Sequence, residues 1–182
     1  GMAGPLARRH GVHVHLSTGE YFLARGLCAN LPGFDGNTLG TFMASHGLVN
    51  EKKADETLEA RGGMFSRLVP EPPLNYQRIQ HGDEITIGGH VWQCHAGFGH
   101  SPEHIALVCK SLDLMISGDM LLPTISTNVS VYGIEPEGNP LLLFLQSVQR
   151  MAQLPNSLTV LPSHGVPFKG VHDRCAQLLR HH

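Results

Sequence analysis

Three short polar segments, each placed just after an apolar run, constrain this chain more than any other feature of its sequence. They are residues 97–104 (GFGHSPEH), 117–119 (SGD) and 161–165 (LPSHG). Each contains one side chain of a kind that binds metals: His100, Asp119 and His164. Functional sites are usually built from loops on a rigid scaffold, and loops that follow neighbouring strands can reach one edge of a sheet. We therefore expect these three side chains to converge.

Glycines beside the three candidate residues favour the same interpretation. Gly99, Gly118 and Gly165 are their direct neighbours, and glycine permits a positive φ and a close approach of backbone. Taken alone, a histidine is usually structural, and Asp119 would simply cap a turn. Two imidazoles and one carboxylate together suit zinc, iron or manganese better than calcium. The joint pattern predicts a metal site.

Composition excludes several classes of protein. The chain has 182 residues, 41% hydrophobic and 15% charged, which predicts a single domain over residues 1–182. The formal net charge is -2 with no run of lysine or arginine, so no nucleic-acid partner is expected. The longest apolar run, residues 141–145, is too short to cross a bilayer, so no membrane partner is expected. Four cysteines without a Cys-x-x-Cys pair favour free thiols and a cytoplasmic location.

Cap and turn signals predict helices in the first half of the chain. The predicted helices are residues 18–29, capped by Ser17; residues 38–45, capped by Asn37; and residues 51–61, capped by Asn50. Ser17 followed by Glu20 matches a capping box, which makes the first of these the best defined. Residues 12–15 read as a short strand, and three prolines within residues 69–73 predict an extended loop.

The second half alternates strands and helices. The predicted strands are residues 84–87, 90–95, 105–109, 114–117 and 158–161, and the predicted helices are residues 140–153 and 171–180. Gly88 and Gly89 lie between the first two strands and indicate a hairpin turn. Asn139 precedes Pro140, which is favoured at the first position of a helix. This order of elements indicates an α/β sandwich.

The three polar segments resemble the third, fourth and fifth metal motifs of the metallo-β-lactamase superfamily. The resemblance covers nearly the whole chain, and residues 118–131 are similar to a large group of bacterial hydrolases in that superfamily. It implies an α/β fold, the αββα sandwich, and a metal-dependent hydrolase that cleaves an ester, thioester or similar bond of a small-molecule substrate. It also implies that His100 binds a first metal ion, that Asp119 bridges two ions and that His164 binds the second.

One departure from the family pattern is large. The opening signature H-x-H-x-D-H is not in this sequence; His13 and His15 have the first spacing, but Ser17 and Thr18 stand where Asp and His should follow. Residues 2–7 look like the helix start that follows the signature in the family. We therefore expect an incomplete sandwich that lacks its N-terminal strands and first metal motif. An internal start, a shortened chain and a natural truncation would all explain it.

These expectations define what the chain should do by itself. We expect zinc, with iron or manganese as alternatives, and at most one ion per chain. Activity should be impaired, and the alternative function is a catalytically silent assembly or binding domain derived from this fold. Strands without partners expose edges and apolar faces, which predicts a homodimer or a segment-swapped oligomer.

Overall fold

The computed structural model describes residues 2–47, 64–69 and 72–182. The chain divides into two compact units, residues 1–78 with 131–138, and residues 79–130 with 139–182. The single domain expected from the sequence stays a prediction. The three candidate residues all belong to the second unit.

The first unit is mainly helical. Its helices are α1 (Ala3–His10), α2 (Thr18–Cys28), α3 (Gly36–Ser45) and α4 (Met64–Leu68), and its strands are β1 (His15–Leu16) and β2 (Gln77–Arg78). The two strands pair in parallel, with His15 opposite Gln77. The strand predicted over residues 12–15 is wrong except at His15, since the strand in the structure is His15–Leu16. Its parallel partner lies more than sixty residues further along the chain. A parallel pairing of this kind leaves no local signal.

Helix caps in this unit test the local predictions. The Ser17 side chain accepts a hydrogen bond from the Glu20 backbone N–H over 3.3 Å, as the capping box predicts. The cap predicted at Asn37 is wrong, because Asp35 accepts from the Thr38 N–H over 2.8 Å and α3 begins at Gly36. That backbone hydrogen bond lowers the pKa of the Asp35 carboxyl below its ordinary value, since a carboxylate is the stronger acceptor at a helix N-terminus.

Two predictions for the first half lie wholly or partly outside the described residues. The helix expected over residues 51–61, with Asn50 as its cap, is among them. The extended loop expected over residues 69–73 is described only in part. The helix start expected at residues 2–7 is confirmed by α1, which ends at His10 and is capped by Gly11 with φ 62°.

The second unit contains a five-stranded sheet and two helices. The strands are β3 (Glu84–Ile87), β4 (His90–Gly97), β5 (His104–Cys109), β6 (Leu114–Gly118) and β7 (Thr159–Pro162), and the helices are α5 (Pro140–Met151) and α6 (Val171–His181). The strand order is β3-β4-β5-β6-β7. All neighbours are antiparallel except β6 and β7, which are parallel.

Local signals located these elements well. Gly88 and Gly89, with φ of 59° and 79°, form the hairpin turn between β3 and β4 that the sequence predicts. The Asn139 side chain accepts from the Leu142 N–H over 3.0 Å and Pro140 is the first helical residue. α5 ends at Met151, two residues earlier than expected, and β7 is shifted by one residue.

Packing of α5 and α6 against the sheet forms the core of this unit. The buried cluster contains Ala106, Val108, Met115, Met120, Leu121, Phe144, Val148, Met151, Leu158, Val160, Val171, Cys175 and Leu178. Since β4 and β6 are each antiparallel to β5, and β7 is parallel to β6, the carboxyl ends of β4, β6 and β7 lie at one edge of the sheet. The three candidate residues follow these three strand ends.

None of the helices within residues 2–47, 64–69 and 72–182 combines the length and the apolar character needed to cross a bilayer.

Candidate metal centre

His100, Asp119 and His164 come together at this edge of the sheet. Asp119 lies in the middle: its Oδ2 is 3.5 Å from His100 Nε2, and its Oδ1 is 3.4 Å from His164 Nε2. The two imidazoles therefore approach different oxygens of one carboxylate. The side chains of His100 and Asp119 are 26% and 29% exposed, whereas that of His164 is 69% exposed. The site is open to solvent on the His164 side.

The orientation of His100 is set by its second ring nitrogen. His100 Nδ1 lies 2.9 Å from the carbonyl oxygen of Asn128. A carbonyl only accepts, so Nδ1 carries the proton and donates it. In the neutral ring the lone pair is then on Nε2, the atom that faces Asp119. Fixing the tautomer through the distal nitrogen is the usual way in which a metal-ligating histidine is held.

Residues 119–130, here called the Asp119 loop, are held by hydrogen bonds at several points. The buried Thr127 hydroxyl donates to the Asp119 carbonyl over 2.6 Å, and the buried Ser117 hydroxyl donates to the Leu121 carbonyl over 2.8 Å. At the far end of the loop, the Ser130 N–H donates to the Gly99 carbonyl over 2.8 Å. The loop therefore joins the segment that carries Asp119 to the one that carries His100.

The His164 segment is tied to Asp119 by its backbone. The Ser163 N–H donates to the Gly118 carbonyl over 3.1 Å, directly beside both candidate residues. Gly165 lies against Pro123: a side chain at this glycine would come within 2.6 Å of Pro123 Cγ. The loop after β7 and the Asp119 loop therefore pack together.

The glycines beside the candidate residues have the positive φ that the sequence predicts. The values are 94° at Gly99, 55° at Gly118 and 87° at Gly165. At Gly118, a Cβ would overlap the imidazole of His104, whereas at Gly99 it would overlap the backbone carbonyl of Pro140. At Gly99, a Cβ would lie 2.6 Å from Phe144 Cβ. No other residue type fits either position without movement of its neighbours.

Arg174, on α6, contacts the Asp119 loop through its guanidinium. Its Nε donates to the Leu122 carbonyl over 2.6 Å, and its Nη2 donates to the Ile125 carbonyl over 2.7 Å. A third hydrogen bond joins Nη1 to Oε1 of Gln177 over 3.0 Å. Burial lowers the pKa of the Arg174 guanidinium below its ordinary value. Sequence analysis missed both Arg174 and Thr127, because their partners are backbone groups with no sequence signature.

Two further histidines, His104 at the start of β5 and His95 within β4, have other surroundings. The His104 ring packs edge-on against that of His100, with centroids 6.3 Å apart, and against Gly118. The His95 Nε2 atom lies 3.2 Å from Oε1 of Gln93, and its ring packs edge-on against His81. Desolvation by burial lowers the pKa of His95, and the nearby His81 and Lys110 lower it further. His95 is a mid-strand residue of β4, not one at a strand end.

Comparison with known proteins places this chain in a family. The sequence model of the metallo-β-lactamase superfamily matches residues 3–164. The chain belongs to the metallo-β-lactamase superfamily. A comparison with curated proteins found no match.

Solved structures of this superfamily share the fold. The chain is 42% identical to a β-lactamase domain protein from Burkholderia ambifaria, with a TM-score of 0.81 over 93% of this chain and 46% of that one. It is 24% identical to the metallo-β-lactamase family protein TTHA1429 from Thermus thermophilus, with a TM-score of 0.75 over 100% of this chain and 56% of that one. The chain thus spans about half the length of these two structures. The mixed α/β sandwich expected from the sequence is confirmed.

Metallo-β-lactamase superfamily proteins bind metal ions, zinc or iron; one structural neighbour, TTHA1623, was solved in a di-iron-bound form. That neighbour is 23% identical to this chain, with a TM-score of 0.58 over 93% of this chain and 65% of its own length.

The donor spacing in this chain fits such an ion. Ligands at the corners of a tetrahedron, about 2.0–2.1 Å from zinc, lie about 3.3–3.4 Å from one another. The two imidazole-to-carboxylate distances, 3.5 Å and 3.4 Å, match this spacing pair by pair. Across the described parts of the chain, no group of three or more His, Cys, Asp or Glu side chains could hold one ion together. The contacts that the structure shows are pairwise, His100 with one oxygen of Asp119 and His164 with the other.

Proposed function

We propose that the protein to which this chain belongs is a metal-dependent hydrolase and that His100, Asp119 and His164 are metal ligands in it. The observation that carries this proposal is the position of Asp119 between two imidazoles, each facing a different oxygen at the distance of neighbouring ligands. A carboxylate placed in this way suits a bridge between two metal positions, one on the His100 side and one on the His164 side.

The chemistry of such a site divides between the ion and the chain. When bound, zinc acts as a Lewis acid on a carbonyl or phosphoryl oxygen and lowers the pKa of water. The chain supplies the ligands, and the Asn128 carbonyl keeps the lone pair of His100 on Nε2. The exposed His164 side leaves room for a substrate to approach from solvent.

The substrate class proposed next is based on the resemblance to the superfamily and not on a pocket in this chain. We propose a small molecule with an ester, thioester or similar bond, and zinc as the metal with iron or manganese as alternatives. Fold alone does not specify the substrate. The four free cysteines support a reducing, cytoplasmic location.

We further propose that activity of the 182-residue chain by itself is impaired and that it binds at most one ion. The motif H-x-H-x-D-H, which supplies the remaining ligands in the family, is not in this sequence. The same feature supports the alternative function, a catalytically silent assembly or binding domain. Exposed apolar side chains such as Ile125, Leu142 and Val166, which are 58%, 48% and 70% exposed, support a homodimer or segment-swapped oligomer.

Metal content tests the proposal. The chain is loaded with zinc, desalted and assayed for zinc per chain by elemental analysis, beside Asp119→Asn and His164→Ala. We expect at most one ion per parent chain. Asp119→Asn changes the carboxylate that both imidazoles face and should lose most of the bound zinc, and His164→Ala should lose the zinc that is held on the His164 side. The control is His10→Ala, which removes an exposed histidine of α1 in the other unit and should keep the parent value.

The outcome separates the two functions. Zinc that is retained by Asp119→Asn would contradict a ligand role for this carboxylate. No zinc in the parent chain would favour the silent domain for this chain. Binding in the parent with loss in both variants would favour the hydrolase.

A further inference from the structure

The Arg174 guanidinium binds two backbone carbonyls of the Asp119 loop that lie three residues apart. Its Nε and Nη2 donate to Leu122 and Ile125 over 2.6 Å and 2.7 Å. A guanidinium presents these donors in one rigid plane, so it fixes the positions of its two acceptors relative to each other. Arg174 thereby joins α6 to the loop that carries Asp119.

Both ends of the clamped segment lead to candidate ligands. On one side, Leu122 is three residues from Asp119, whose carbonyl accepts from Thr127. On the other, Ile125 is three residues from Asn128, whose carbonyl accepts from His100 Nδ1. Movement of this segment would therefore displace the acceptor that sets the His100 tautomer and the backbone that aims the Asp119 carboxylate.

We propose that Arg174 is a positioning residue of the metal centre, acting through the Asp119 loop on both Asp119 and His100. Its hydrogen bonds go to the loop backbone and to Gln177, and it is no ligand. This inference rests on the proposed metal-binding function. Of its two readouts, zinc affinity depends on that function, whereas the His100 tautomer is measured in the metal-free chain.

Arg174 is half-buried, and its paired contacts with the loop backbone make a passive surface role a poor explanation. Partial desolvation of the guanidinium disfavours the charged form, as its lowered pKa indicates, and the two carbonyl hydrogen bonds offset that cost. A lysine would keep the charge but lacks the planar fork that spans two acceptors. An arginine whose only role was to face solvent on the surface of α6 would not need that geometry.

The test compares three substitutions in the 182-residue chain. Arg174→Met removes all donors at nearly constant length, and Arg174→Lys keeps the charge without the fork. Arg180→Met makes the same change at an exposed arginine of the same helix and is the matched control. For each, the zinc dissociation constant is measured by competition with a chromophoric chelator. The His100 tautomer is read from the ring ¹⁵N shifts of the metal-free chain.

We expect Arg174→Met to raise the zinc dissociation constant by about 10-fold, the lower end of the effect of removing a direct partner of a ligand, because Arg174 acts on Asp119 and His100 only through the loop backbone. In the same variant the Nε2–H tautomer of His100 should become populated. Arg174→Lys should fall between Arg174→Met and the parent, and Arg180→Met should match the parent.

Other outcomes have distinct meanings. A lower unfolding temperature in Arg174→Met with unchanged tautomer and zinc affinity would mean a purely structural arginine and would overturn the inference. If the parent binds no zinc, the proposed function fails, whereas the tautomer of the metal-free variant still decides the role of Arg174.

Discussion

The Thr127 hydroxyl donates a hydrogen bond to the backbone carbonyl of Asp119 over 2.6 Å, across eight residues of one loop. Thr127 is buried, with 4% of its surface exposed. Replacing it with valine keeps the shape but removes the donor, so the Asp119 carbonyl loses its partner. We expect Thr127→Val to lower the free energy of unfolding by ~1–3 kcal/mol and to weaken zinc binding by about 10-fold.

Urea unfolding and chelator competition measure these two effects. Thr124→Val is the control, since Thr124 lies exposed in the same loop. Equal effects of Thr127→Val and Thr124→Val would contradict a contribution of the hydrogen bond to Asp119 to stability or zinc affinity.

Gly118→Ala should destabilise the chain more than the same substitution at a glycine in open space. An alanine at positive φ costs about 1–2 kcal/mol at either position, because Gly118 and Gly82 have φ of 55° and 87°. At Gly118 the methyl group would also overlap the His104 ring, whereas nothing lies within 4 Å at Gly82. Overpacking adds about 1–3 kcal/mol.

The difference between the unfolding free energies of Gly118→Ala and Gly82→Ala isolates the contact with His104. Equal values would mean that the His104 ring moves aside freely. A larger loss in Gly118→Ala, together with weaker zinc binding, would tie this contact to the site.

Cys175 should make stability depend on pH in the alkaline range. Burial raises the pKa of this thiol from 9.0 to about 11, so the folded chain holds the proton more tightly than the unfolded chain. This contribution to stability is fully present below pH 9 and is lost as the pH rises from 9 to 11. Each pKa unit corresponds to about 1.4 kcal/mol, so the loss is on the order of 2–3 kcal/mol.

Denaturant unfolding at several pH values, in the parent and in Cys175→Ala, measures this contribution. The parent should lose more stability than the variant across this window. Parallel curves would show that the thiol stays neutral or is solvated when ionised.

Self-association is expected from the exposed apolar side chains of the second unit. Ile125 and Val166 are 58% and 70% exposed, and exposed apolar patches favour association. Light scattering coupled to size-exclusion chromatography should give a mass of about twice 19.8 kDa at micromolar concentration. Ile125→Lys and Val166→Lys should shift the mass towards the monomer. A stable monomer in the parent would contradict this prediction.

Local chemistry explains which elements were predictable from the sequence. The capping box at Ser17, the Gly88–Gly89 hairpin and the Asn139 cap each involve residues within four positions of one another, so their signals survive in the sequence. The N-cap predicted for α3 was wrong because Asp35 and Asn37, two residue types that are both favoured at an N-cap, stand two positions apart. Sequence alone does not rank them reliably.

Contacts between distant residues explain what was missed. The pairing of β1 with β2 joins residues 15–16 to 77–78, and Arg174 reaches acceptors 52 and 49 positions away. An arginine on an amphipathic helix ordinarily indicates a solvated face. Only the packing of α6 beside the Asp119 loop turns it towards two carbonyls.

The sequence by itself indicated the family, the order of the motifs along the chain and the three candidate ligands His100, Asp119 and His164, because residue type, spacing and flanking glycines are properties of the chain. The tertiary structure alone decided that the two imidazoles approach opposite oxygens of one carboxylate and that Arg174 and Thr127 hold its loop. Those relations depend on ångström-scale distances between loops, and such distances arise only when the strands that carry the loops have paired and packed.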